Sequence, residues 1–174
     1  SYDCELRALL PDFHTSINYL AGKGVRDITD MILAGPRSDV IIISILGNDF
    51  VHWVRRATND WVCEDVEIYP KHFDEALHAL VSAVAAKSSR CAFLLFGEAS
   101  KWGYNHRYDD FSERARRYVD DLTGHAGVVF SGSADMRPMP LCDDGMHFHR
   151  DAKSNWAQLW AVSYTHLRAH ETTT

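Results

Sequence analysis

Asp39-Val40-Ile41-Ile42-Ile43-Ser44-Ile45-Leu46-Gly47-Asn48-Asp49 passes from an apolar run straight into a polar turn. Residues 40–46 form a nearly continuous apolar, β-branched run. That is the pattern of a strand buried on both faces of a parallel sheet. The run stops on Gly47-Asn48-Asp49, so an amide side chain stands at the tip of a buried strand.

Outward from this strand, helical and extended patterns alternate. Upstream, residues 2–10 read as a short helix stopped by Pro11, and residues 14–20 as a strand ending in the Gly22-Lys23-Gly24 turn. Residues 25–33 read as a helix closed by Gly35-Pro36. Downstream, a helix starts over 50–57, and the chain is irregular to Pro70. Phe73, Ala76, Leu77, Leu80, Val81 and Val84 then recur at the spacing of an amphipathic helix. Residues 91–96 read as a strand. Phe111, Ala115, Tyr118, Val119 and Leu122 mark another helix, 128–131 a short strand and 151–162 a last helix with Ala152, Trp156, Leu159 and Trp160 as its stripe.

Strands alternating with helices predict an α/β fold, a three-layer α/β/α arrangement around a mostly parallel sheet. In such sheets ligands bind beyond the carboxyl ends of the strands. Gly22 or Gly24, Asn48, Gly97 and the 144–147 loop all follow strands or lie downstream of one, which makes convergence on one edge the expectation.

At 174 residues, with 46% hydrophobic and 24% charged residues, the chain has the composition of one soluble globular domain. The formal net charge of −6 argues against a nucleic-acid partner, which calls for a basic face. No run reaches the roughly 18 apolar residues of a membrane span. Cys4, Cys63, Cys91 and Cys142 form no C-x-x-C pair, which excludes zinc-finger and thioredoxin readings and leaves disulfides and compartment open. Residues 163–174 have no helical stripe and end in a Thr run, so the domain is expected over 1–162 with a polar, non-native or ordinary tail. His166 and His170 of that tail are set aside.

Three islands carry the candidate chemistry. Asp144-Gly145-Met146-His147 puts a carboxylate three residues before an imidazole; a general-base histidine needs such an acceptor to fix its tautomer. Asn48 can donate to a developing oxyanion, and Gly24 exposes a backbone N–H after a strand. Taken singly, each has a plain reading: a surface turn at 144–147, turn chemistry at 47–49, and a tight turn at 22–24. Asp49 reads as a cap for the helix from residue 50 and not as catalytic. His147 and His149 would share a side of an extended chain, but no third ligand stands at metal-site spacing, so no metal is expected. Trp53, Trp61, Trp102 and Tyr104 suit a pocket lining, although core or cover is the plainer reading. Arg114-Ala115-Arg116-Arg117 reads as a solvated helix face.

In their order, Gly24, then Gly47-Asn48-Asp49 after an Ile-rich strand, then Asp144-x-x-His147 before the last helix, these islands resemble the SGNH (GDSL-type) hydrolase family over about residues 1–162. The resemblance implies a flavodoxin-like α/β/α fold and hydrolysis of an ester through a covalent acyl-enzyme. It assigns Asp144 and His147 to the catalytic machinery and Gly24, with Gly22 as alternative, and Asn48 to the oxyanion hole. Leu46 stands where the family has the first Gly of Gly-x-Asn-Asp.

No Gly-Asp-Ser is present. The resemblance then implies a chain cut just ahead of the nucleophile, with the first strand missing and Ser1 as the nucleophile; the alternative is a serine further upstream. The expected substrate is a small acyl ester, a lipid or an acylated carbohydrate, with no cofactor. Alternative readings are an acyltransferase on the same site, a non-catalytic α/β binding domain that has lost the serine, and a flavodoxin-like binding module.

Overall fold

The computed structural model describes residues 7–18, 23–45, 48–49, 73–88, 90–95, 105–125, 129–133, 142–143, 149, 158 and 161–162. Its elements, in chain order, are α1 (Val25–Ala34), β1 (Ile41–Ile45), α2 (Phe73–Lys87), β2 (Arg90–Leu95), α3 (Asn105–His125) and β3 (Val129–Ser133).

The three strands form one sheet in the order β1-β2-β3, and both pairings are parallel. β1 and β2 keep an unbroken register from Ile41 opposite Cys91 to Ile45 opposite Leu95. Against β2, β3 runs from Val129 opposite Arg90 and Phe130 opposite Cys91 to Ser133 opposite Phe93. It therefore carries one extra residue, a bulge around Gly132. Within β1, Ile43 and Ile45 point to the buried face at 4% and 3% exposure, while Ile42, on the other face, is only half-buried.

Each parallel step needs a crossover, and α2 and α3 supply them. Right-handed crossovers stepping in one direction put successive helices side by side on one face of the sheet. The contacts agree: α1 packs on α2, α2 on α3, and α3 on β3. α2 carries the core. Its Phe73, Ala76, Leu77, Leu80, Val81, Ala83 and Val84 are buried, whereas Glu75, His78, Ala79 and Ser82 are exposed. α1 adds Val25, and α3 adds Ala115 and Val119.

Local chemistry sets the ends of these elements. Gly35 leaves α1 in an extended conformation (φ −80°, ψ 172°), as a residue before proline prefers, and its N–H still reaches the carbonyls of Met31 and Ile32. The loop from Gly35 to Asp39 is then bolted to the end of α2. Lys87 Nζ donates to Gly35 O at 2.6 Å, Arg37 Nη1 to Ala86 O at 3.0 Å, and Ser38 N to Lys87 O at 3.0 Å. Ser88 Oγ donates to Asp39 O at 2.9 Å. The last carbonyls of α2, which have no intrahelical partner, are thereby used to fix the entry to β1. This lock lies at the amino end of the strand and leaves its carboxyl end for other contacts.

On α3, Arg116 and Arg117 both bind Glu113, and Arg116 also binds Asp120. The two guanidiniums hold the Glu113 carboxyl down at about 2. Burial pushes the Asp120 carboxyl up despite Arg116, and burial likewise raises the Tyr118 hydroxyl, aided by Asp74 and Glu75 of α2. Arg116 and Arg117 are thus paired with acids along their own helix.

Two expectations differ from the structure. Residues 14–18 show alternating exposure, with Thr15 and Ile17 half-buried between exposed neighbours, yet they carry no strand pairing. Period-two burial alone does not make a strand without a ladder partner. α3 begins at Asn105, well before the apolar stripe at Phe111, because its first turns are polar. Residues 7–9, 48–49, 158 and 161–162 are helical; the rest of the helices expected over 2–10, 50–57 and 151–162, and the tail 163–174, lie outside the described residues. Among the described residues, no helix is long and apolar enough to cross a membrane.

Candidate functional site

The carboxyl end of β1 meets the amino end of α1. The chain leaves β1 at Ile45 and is helical at Asn48 and Asp49; α1 begins at Val25 behind the Lys23-Gly24 turn. These segments are 24 to 25 residues apart in sequence and are joined by two hydrogen bonds. Asn48 Nδ2 donates to Lys23 O at 3.0 Å, at the exposed rim. Val25 N donates to Asp49 Oδ1 at 2.9 Å, in the interior.

Asp49 is 5% exposed. Its carboxylate accepts from the first residue of α1, where the helix N–H groups lack intrahelical partners and the dipole favours negative charge. Asp27, in the first turn, adds a second carboxylate. Gly24 N donates to Asp27 Oδ2 at 3.2 Å, and Lys23 Nζ pairs with Asp27 Oδ1 at 3.5 Å. Gly24 O accepts the first intrahelical bond from Ile28 N at 3.2 Å.

Space, and not backbone conformation, requires glycine at position 24. Its φ of −109° and ψ of −168° are open to any residue. A Cβ there, however, would overlap Asp49 Oδ1 and lie 3.1 Å from Asp49 Cγ. The missing side chain and the buried carboxylate occupy one volume.

Two of the residues singled out from sequence, Gly24 and Asn48, therefore stand in one small region, with Asn48 bonded to the residue before Gly24. Their donors are engaged within the protein: one Asn48 amide N–H by Lys23 O, and the Gly24 N–H by Asp27. A carboxamide nitrogen carries a second N–H, which this bond leaves over. Ser1, Gly22, Gly97, Asp144 and His147 lie outside the described residues, as do Trp53, Trp61, Trp102 and Tyr104. Near the expected base, Asp143 is an exposed turn residue, His149 is half-buried, and Cys142 is a half-buried thiol outside any disulfide. Among the described residues, no three His, Cys, Asp or Glu side chains lie together as a metal site.

Asp49 is the residue whose part at this site the sequence did not reveal. The expected capping of the helix from residue 50 lies outside the described residues; what the structure adds is that the carboxylate reaches back to α1. The available signal was the pairing of an acid after a buried strand with a glycine before a helix, but nothing in the sequence ties two positions so far apart.

Comparison with family models, with curated proteins and with solved structures gave no match.

Proposed function

We propose that the protein is a serine-dependent ester hydrolase of SGNH type, built on a three-layer α/β/α domain over residues 1–162 with 163–174 as a tail outside it. The observation that carries this reading is the hydrogen bond from Asn48 to the turn holding Gly24, at the carboxyl end of a parallel strand. Open α/β sheets bind ligands at such an edge, and two of the proposed oxyanion donors, Asn48 and Gly24, are neighbours there.

In the proposed reaction Ser1 Oγ attacks the acyl carbon while His147 takes its proton, and Asp144 orients the imidazole and stabilises its charged form. The carbonyl oxygen, now an oxyanion, receives the remaining Asn48 N–H and backbone N–H groups of Ser1 and of Gly24 or Gly22. Gly24 would exchange its Asp27 partner for the oxyanion. The alcohol leaves with the proton from His147; water, deprotonated by the same imidazole, then releases the acid. Transfer to an alcohol is the acyltransferase variant of the same chemistry, and product analysis with an added sugar acceptor separates the two.

A second reading, a non-catalytic α/β binding domain, draws support from the engagement of both described donors inside the protein. A fluorophosphonate probe decides between the readings. The esterase predicts a covalent adduct located on Ser1 by peptide mass, lost in His147→Ala, together with hydrolysis of a chromogenic acetate ester. No adduct and no hydrolysis would overturn it.

A further inference from the structure

We propose that Asp49 is a positioning residue: its carboxylate, capping α1 across the fold, fixes the Lys23-Gly24 turn where the Asn48 carboxamide meets it. The catalytic part of this proposal rests on the esterase reading; the structural part does not.

Residues 23 and 25 bracket Gly24, and residues 48 and 49 grip one each. Asn48 donates to the carbonyl of Lys23, and Asp49 accepts from the amide of Val25. The two grips are unequal. The Asn48 bond is exposed, where water competes, and cannot hold an orientation alone. The Asp49 bond is buried, at the positive end of a helix dipole. Because the two residues are adjacent in one helical turn, anchoring Asp49 fixes the backbone from which Asn48 projects. Gly24 admits the anchor, since a Cβ would overlap the accepting oxygen. The polarity of the clasp is also set: a carboxylate at position 48 would face the Lys23 carbonyl, and its rim bond would be lost.

The test uses the whole chain and three readouts. In thermal melts, Gly24→Ala lowers Tm by about 4–8 °C in the wild-type and Asp49→Asn backgrounds. In Asp49→Ala it has little effect, because the colliding atoms are gone. Equal shifts in all three backgrounds would overturn the shared volume. Asp49→Ser replaces Asp49→Ala if the latter does not fold.

By NMR, the Asn48 side-chain amide is ordered in the wild type and in Asp49→Asn, which keeps an acceptor of the same shape, and loses order in Asp49→Ala. An amide equally ordered in Asp49→Ala would overturn the positioning role. Where the phosphonate titrates active sites, kcat per site falls about tenfold in Asp49→Ala with KM unchanged, and Asp49→Asn recovers it. Unchanged kcat would sink the catalytic part. Failure of the wild type to take up phosphonate refutes the esterase reading and the catalytic part with it, and leaves the melts and the amide signals to decide the clasp.

Discussion

Replacing Asn48 by alanine should separate rate from stability. The side chain is exposed, and its hydrogen bond to Lys23 O at 3.0 Å is made at the rim. A neutral bond of this kind contributes about 0.5–1.5 kcal/mol, with exposure favouring the low end. For a chain of 174 residues that is a fall in Tm of about 1–6 °C. An oxyanion donor contributes far more to the barrier: its loss costs about 10²–10³ in kcat, or roughly 3–4 kcal/mol. Saturation kinetics on a chromogenic acetate ester and a thermal melt of the same samples measure both quantities. Asn48→Asp is the control, since a carboxylate cannot donate and repels the Lys23 carbonyl; it should lose as much rate and more stability. A rate within tenfold of wild type, or a loss that merely follows the folded fraction, would refute the oxyanion role.

Leu80, fully buried on α2, should cost about 2–5 kcal/mol when cut to alanine, read as a lower urea midpoint at unchanged slope. Ser88→Ala removes the bond to Asp39 O that helps lock the entry to β1; a loss of about 1 kcal/mol in the same assay is expected, with the Asn48 amide signal unmoved. Glu113 has its folded-state pKa lowered to about 2 by Arg116 and Arg117. Its contribution to stability is therefore present above the unfolded value and lost as pH falls through about 2. Carboxyl NMR should show Glu113 titrating well below Asp120, whose pKa burial raises, and Glu113→Gln should flatten the acid limb of the melting curve slightly, because the cluster is solvent-exposed.

Much of the local structure could be read from hydrophobic period. The strand expected over 40–46 stands at Ile41–Ile45, and all six apolar positions singled out on α2 are buried. Period fails where the deciding term is a partner. Residues 14–18 have the alternating exposure of a strand and no ladder, and Ile42 is half-buried although its run looked buried on both faces. It fails again where helices begin in polar turns, as α3 does at Asn105. At the site, Gly24 and Asn48 stand out by residue type, and Asn48 also by its place after β1. The role of Asp49 was invisible, because it depends on one oxygen filling the space of an absent Cβ on a segment 25 residues away.

In the proposed esterase the Lys23-Gly24 turn, Asn48 and the Asp144–His147 loop surround one acyl carbon. A crystal structure of the phosphonate-treated protein measures this directly. The expected result is a phosphonyl oxygen about 2.7–3.1 Å from Asn48 Nδ2, with the His147 ring on the other side of the adduct. A His147 ring and an Asn48 carboxamide on opposite faces of the molecule would contradict it.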